Sequence, residues 1–111
     1  MKIKEIAAKL LKEKSVAIFC HTRPDGDTIG SGCALKCAFD KLGVNSEVFC
    51  CDVVPNRYHF LPKTQQITNV FNKEFSAFVA VDSADLERLG GFSEVFSKNK
   101  NTFNIDHHKS N

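Results

Sequence analysis

The sequence predicts an α/β domain: an open, mainly parallel sheet with flanking helices. Short apolar runs of strand length alternate with stretches whose apolar residues recur at helical spacing. Three of the four strand-like runs end in polar clusters, as strands of a parallel sheet do where they meet a ligand. At 111 residues the chain is long enough for one small domain with a single core, and too short for two.

Ile3, Ile6, Ala7, Leu10 and Leu11 fall at helical spacing, with lysines and a glutamate on the other face. Residues 16–20 form an apolar run expected to be a buried strand. Residues 28–42 return to a helical pattern, with Gly43 as the C-terminal cap. Residues 47–51 are a second strand. Residues 52–63 carry Pro55 and Pro62 and read as a loop with a short helical turn. Residues 67–71 fit a strand or a helix. Residues 77–81 are a third buried strand and 102–105 a fourth, with a short helix over 92–96 after the Gly90-Gly91 break. This alternation implies right-handed crossovers and parallel pairing.

Composition excludes several classes. With 42% hydrophobic and 25% charged residues the chain reads as an ordinary globular protein, and a net charge of +2 does not by itself argue for nucleic acid or a membrane surface. No apolar run approaches transmembrane length, so no membrane partner is expected. The five cysteines (Cys20, Cys33, Cys37, Cys50 and Cys51) are odd in number and hold no C-x-x-C pair. They are expected to be small core hydrophobes in a reducing cytoplasm.

The chemistry sits after three of the strands. Residues 16–20 lead into His21-Thr-Arg-Pro-Asp25-Gly-Asp27, residues 77–81 into Asp82-Ser-Ala-Asp85, and residues 102–105 into Asp106-His107-His108. A parallel sheet would bring His21, Asp25, Asp27, Asp82, Asp106, His107 and His108 onto one rim. So many carboxylates cannot crowd together without cations, because like charges at close range repel. Mixed His and Asp donors suit a divalent first-row metal such as manganese. In an extended loop, Asp25 and Asp27 would diverge and serve different ions, with Asp82 able to bridge them as in a two-metal hydrolase. A plainer role competes at two positions, since an aspartate after a strand is commonly a helix N-cap: Asp27 or Asp85 could be only that, Asp85 above all.

The glycine-rich run from Gly26 to Gly32 lacks the ending of a nucleotide P-loop and the spacing of a dinucleotide fingerprint. Its helix could present backbone N–H groups to a phosphate. The simpler role for Gly30 and Gly32 is close packing of helix on sheet. Arg23 and Arg88 are the cations nearest the clusters, and either could clamp a phosphate.

The run His21-Thr-Arg-Pro-Asp-Gly-Asp-Thr-Ile-Gly-Ser31 resembles the first motif of the DHH phosphoesterases, Val81-Asp-Ser-Ala-Asp85 the second, and Asp106-His-His108 followed by Lys-Ser-Asn111 the third. The resemblance spans the chain from the first strand to its end and implies a Rossmann-like domain with two Mn2+ ions per complete site. It implies that His21 and Asp25 hold one ion, that Asp27 and His107 hold the other, and that Asp82 bridges them. His108 would face the substrate phosphate, Asp106 would orient its neighbours, and Arg88 and Asn111 would meet the substrate. In-line hydrolysis at phosphorus, with Asp82 and His108 as the catalytic pair, is the implied reaction. Within the family the motifs look closest to the nanoRNases that also dephosphorylate pAp (3′-phosphoadenosine 5′-phosphate), so short oligonucleotides or pAp are the expected substrates. Cyclic-dinucleotide phosphodiesterases, inorganic pyrophosphatases and non-catalytic nucleotide-binding modules are the alternatives.

Family members continue into a fourth motif and a C-terminal domain of the DHHA1 type. Residues 1–111 therefore correspond to the N-terminal part of a DHH catalytic domain, truncated before both. The expectations are a weakened second metal site, little or no activity of this polypeptide alone, and an open sheet edge that invites self-association into a homo-oligomer.

Overall fold

The computed structural model describes residues 3–83 and 85–106. Helix α1 (Ile3–Leu10) precedes strand β1 (Ser15–Phe19), helix α2 (Gly26–Leu42) and strand β2 (Asn45–Phe49). Strand β3 (Ala77–Val81), helix α3 (Ser93–Lys98) and strand β4 (Thr102–Ile105) complete the described elements. The four strands pair in parallel in the order β2-β1-β3-β4. The expected open, parallel α/β sheet is the observed one.

The period-2 alternation of strand side chains divides the core into two layers. On one face Val16, Ile18, Val48, Val79 and Val81 pack against Ile6 and Leu10 of α1 and Ile29, Cys33 and Phe39 of α2. On the other, Ala17, Phe19, Phe49, Phe78 and Ala80 meet Leu89, Phe92 and Phe96. Seven of the ten phenylalanines lie on this second face. Phe19, fully buried, stands at their centre, with ring centroids 5.1 to 5.8 Å from Phe78, Phe92, Phe49, Phe96 and Phe71. Edge-to-face pairs at such separations add about 0.5–1.5 kcal/mol each beyond the burial itself.

Several boundaries differ from expectation. Helix α2 begins at Gly26 rather than residue 28, because Asp25 caps it: the Asp25 carboxylate accepts the Thr28 N–H. Gly43 (φ 78°) closes the same helix as expected. Strand β2 begins at Asn45, since the pairing Ser15↔Asn45 through Phe19↔Phe49 recruits polar residues that an apolar count passes over. Residues 67–71 are neither strand nor helix. Thr68 alone pairs with Phe49 and lends its backbone to the outer edge of β2. The Gly90-Gly91 break lies inside a 3₁₀ stretch, Leu86–Phe92, that kinks at Gly90 before α3 begins. Two 3₁₀ turns, Asn56–Tyr58 and Thr64–Gln66, shape the loop after β2. Among the described residues no helix is long and apolar enough to cross a membrane.

All five cysteines are free thiols; Cys20, Cys33 and Cys50 are buried, and Cys37 and Cys51 half-buried. Cys20, Cys33 and Cys50 belong to the core and Cys51 packs against it, as expected, whereas Cys37 stands outside both clusters. Gly32 is the packing glycine of α2: a Cβ there would lie 2.9 Å from Cys20 Sγ and 3.3 Å from Val48 Cγ1. A Cβ at Gly30 would meet nothing within 4 Å, so close packing does not explain that glycine.

Candidate metal centre

Strand order places the site. The chain leaves β1 for β2 on one side and reaches β3 on the other, so the connections diverge between β1 and β3. That divergence opens a crevice beyond the carboxyl ends of the two strands, the favoured ligand position of open α/β sheets. His21 stands there from β1, with Cys20 between, and Asp82 directly after β3.

His21 (3% exposed) and Asp82 (6%) are both buried. His21 Nε2 lies 3.5 Å from Asp82 Oδ2 and 3.6 Å from Asp25 Oδ1. One donor atom from each of the three residues falls within 4.8 Å of the others. These separations are too long for hydrogen bonds. Donors held to one ion by bonds of about 2.1 Å stand roughly 3 Å apart when adjacent and roughly 4.2 Å when opposite. Both distances from His21 fall between those limits, so the nitrogen and either carboxylate oxygen are spaced as donors to one divalent cation.

The histidine is already oriented for that role. Its Nδ1 lies 2.6 Å from the Thr22 carbonyl oxygen, which can only accept, so the proton belongs on Nδ1. The Nε2 lone pair then faces the two carboxylates, as the outer contacts of metal-bound histidines arrange it. Arg88 Nη2 lies 3.2 Å from the same Nδ1. Both groups are donors in that tautomer, so this approach is a charge placed beside the ring rather than a hydrogen bond. Burial tends to raise the Asp25 carboxyl, but the Thr28 N–H, the His21 ring when it carries a positive charge and the Asp27 N–H together hold it below the usual carboxylate range. Asp82 has φ 55°, a left-handed backbone uncommon for a non-glycine residue, which turns the chain as it leaves β3.

The remaining candidate residues fall out as follows. Asp27 is the second residue of α2 and is exposed. It does not join the three-residue group, and the extended loop expected to separate it from Asp25 is instead the first turn of the helix. Asp25, not Asp27, is the N-cap, and it combines that role with a place in the cation group. Asp85 caps the 3₁₀ stretch by accepting the Arg88 N–H at 3.2 Å, as expected. Asp106 follows β4 directly and is half-buried. Arg23 is exposed, with φ 51°. His107, His108 and Asn111 lie outside the described residues.

Two supporting residues escaped the sequence reading. Thr28, fully buried, accepts the His21 N–H at its hydroxyl and donates that hydroxyl to the Val81 carbonyl, both at 3.2 Å. One side chain thus ties the start of α2 to the strand ends carrying His21 and Asp82. Its signal was a polar residue beside Ile29 on a helix face otherwise turned to the core. Asp52 accepts the Arg23 N–H at 2.7 Å and pins the loop after His21. Nothing local to Asp52 distinguishes it from an ordinary loop aspartate.

Fold and site together define an α/β domain with a histidine–carboxylate centre at its switch point. Residues 15–111 match the DHH family, N-terminal domain, and the chain belongs to that family. It is 35% identical over 111 residues to the bifunctional oligoribonuclease and PAP phosphatase NrnA of Thermus thermophilus, covering 96% of this chain and 32% of that protein. The fold is also that of an exopolyphosphatase-related protein from Bacteroides fragilis, with a TM-score of 0.86 at 21% identity over 96% of this chain and 34% of the other. The chain spans about a third of the length of these relatives.

Proposed function

We propose that this chain forms the metal-binding part of a manganese-dependent phosphoesterase acting on short oligonucleotides, on pAp, or on both. The observation that supports it is the convergence of His21, Asp25 and Asp82, with donor atoms within 4.8 Å of one another and the histidine tautomer held by Thr22. The likeness to a protein named for oligoribonuclease and PAP phosphatase activity supports the substrate class. Five free thiols support a reducing, cytoplasmic setting.

In this reading His21, Asp25 and Asp82 hold one Mn2+ ion. Asp27 and His107, with Asp82 shared, would hold a second. When bound, the ions supply Lewis acidity toward the phosphoryl oxygens and a nucleophilic water at neutral pH. Thr28 keeps the two ligand-bearing strand ends at a fixed spacing, so little reorganisation is needed as substrate enters. Arg88, already at the edge of the site, meets the substrate phosphate together with Asn111. His108 contacts the same phosphate and Asp106 orients the neighbouring histidines.

Calorimetric titration of Mn2+ into this chain, beside Asp82→Ala, tests the reading. At least one ion is expected to bind the wild type and to be lost in the variant. A folded wild-type chain that binds no Mn2+, or binds it equally well after Asp82→Ala, overturns the assignment.

A further inference from the structure

The backbone between two of the three metal-centre residues runs against its own sequence. Arg23 lies midway between His21 and Asp25 and has φ 51°. Positive φ is uncommon for arginine, whose Cβ crowds the backbone there. Pro24 follows directly, and a proline ring pushes the residue before it toward extended backbone with negative φ. Two separate local preferences are overridden at one residue, and such a conformation persists only where its surroundings impose it.

The neighbouring contacts stop short of Arg23. Before it, the Thr22 N–H donates to the Arg88 carbonyl, and the Thr22 carbonyl meets His21 Nδ1. After it, Asp25 is fixed as the cap of α2 by the Thr28 N–H. Among the described residues Arg23 makes one hydrogen bond, from its N–H to Asp52 Oδ2 at 2.7 Å. The charged acceptor makes this a strong bond, and it comes from the loop after β2, 29 positions away. Asp52 is exposed and stands outside the three-residue group, so its influence on that group runs through the backbone of Arg23.

We propose that Asp52 is a positioning residue of the metal centre: by holding the Arg23 N–H it keeps the turn that makes His21 and Asp25 converge. The proposal rests on the metal-centre reading and deepens it. Without Asp52 the turn would relax toward extended backbone, and Mn2+ would bind only the fraction still in the strained form. Strain of the size usual in that region leaves about one chain in ten competent.

Calorimetric titration of Mn2+ and nuclear magnetic resonance of the labelled, metal-free chain test it together. Asp52→Ala is expected to weaken Mn2+ binding about tenfold and to displace the amide signals of His21, Asp25 and Thr28. Asparagine keeps an oxygen acceptor, so Asp52→Asn should bind within about threefold of the wild type. Glycine takes positive φ freely, so adding Arg23→Gly to Asp52→Ala should return affinity to within about threefold and restore the signals. Wild-type affinity in Asp52→Ala overturns the proposal. So does a deficit that Arg23→Gly leaves in place, which would assign the effect of Asp52 to its charge or to the fold at large. If the wild type binds no Mn2+, the hydrolase reading falls and the amide signals decide the positioning alone. Displacement by Asp52→Ala with return by Arg23→Gly upholds it, and signals that stay in place or fail to return overturn it.

Discussion

Gly90→Ala is expected to be among the most damaging methyl additions available to this chain. Gly90 has φ 61° and ψ −128°, a region open almost only to glycine, and an L-residue there costs about 1–3 kcal/mol. The new Cβ would also lie 2.4 Å from Thr22 Cγ2. Thr22 cannot easily yield: its N–H is bound to the Arg88 carbonyl at 2.6 Å, and its own carbonyl holds His21 Nδ1. Overpacking of that kind adds about 1–3 kcal/mol. The sum, about 2–6 kcal/mol, approaches the whole stability of many small domains. Gly43→Ala is the matched control, with φ 78° but nothing within 4 Å of its Cβ, and should cost about 1–2 kcal/mol. Urea denaturation measures both, and each kcal/mol should lower the midpoint of thermal unfolding by about 4 °C in a chain of this size. Thr22→Ser removes the clashing methyl, so adding it to Gly90→Ala should recover the overlap cost and leave the backbone cost. Mn2+ affinity should fall with Gly90→Ala, because Thr22 orients the ligand histidine. A Gly90→Ala chain no less stable than Gly43→Ala, or no rescue by Thr22→Ser, would refute the reasoning.

Thr28→Val keeps the volume but strips the hydroxyl from between His21 N–H and Val81 C=O, so it should cost about 1–3 kcal/mol and weaken Mn2+ binding. Calorimetry and denaturation that both match the wild type would remove Thr28 from the site. The Asp40 carboxyl is held below its usual range, first by the Lys63 hydrogen bond and then by Lys36, with desolvation opposing. Such a group stabilises the fold above its unfolded value of about 3.9, and that contribution is lost as pH falls through the lower folded value. The stability gap between wild type and Asp40→Asn, followed by denaturation against pH, should be flat at neutral pH and close in acid; a gap that widens in acid contradicts the pairing. Burial raises the Cys20 and Cys33 thiols and pushes Cys50 up to about 11. Iodoacetamide at pH 8 should therefore label half-buried Cys37 before any of these, and mass spectrometry showing Cys20 labelled as fast would contradict the core packing.

The apolar runs and their alternation with helical spacing were enough to determine a parallel α/β sheet, because side-chain periodicity is a local property that each segment carries for itself. The clusters after three strands were legible for the same reason: a polar residue directly after a buried strand must lie at the sheet's edge. Which residues meet is another matter. That His21 and Asp82 face one another across 61 positions follows from β1 lying beside β3, and strand order is a property of the whole chain. That Asp25 rather than Asp27 caps α2 depended on where the first helical turn closed, a choice that moved Asp27 away from the cation group. Thr28, Thr22 and Asp52 hold the site through hydrogen bonds whose partners lie on other elements or on a neighbouring backbone; Thr28 shows locally only as a polar residue on a core-facing helix side, and no local pattern marks the other two. The sequence by itself determined the class of fold and the donor atoms available. Only the tertiary structure, by bringing distant strand ends together, decided which donors share one ion and how the turn between two of them is held.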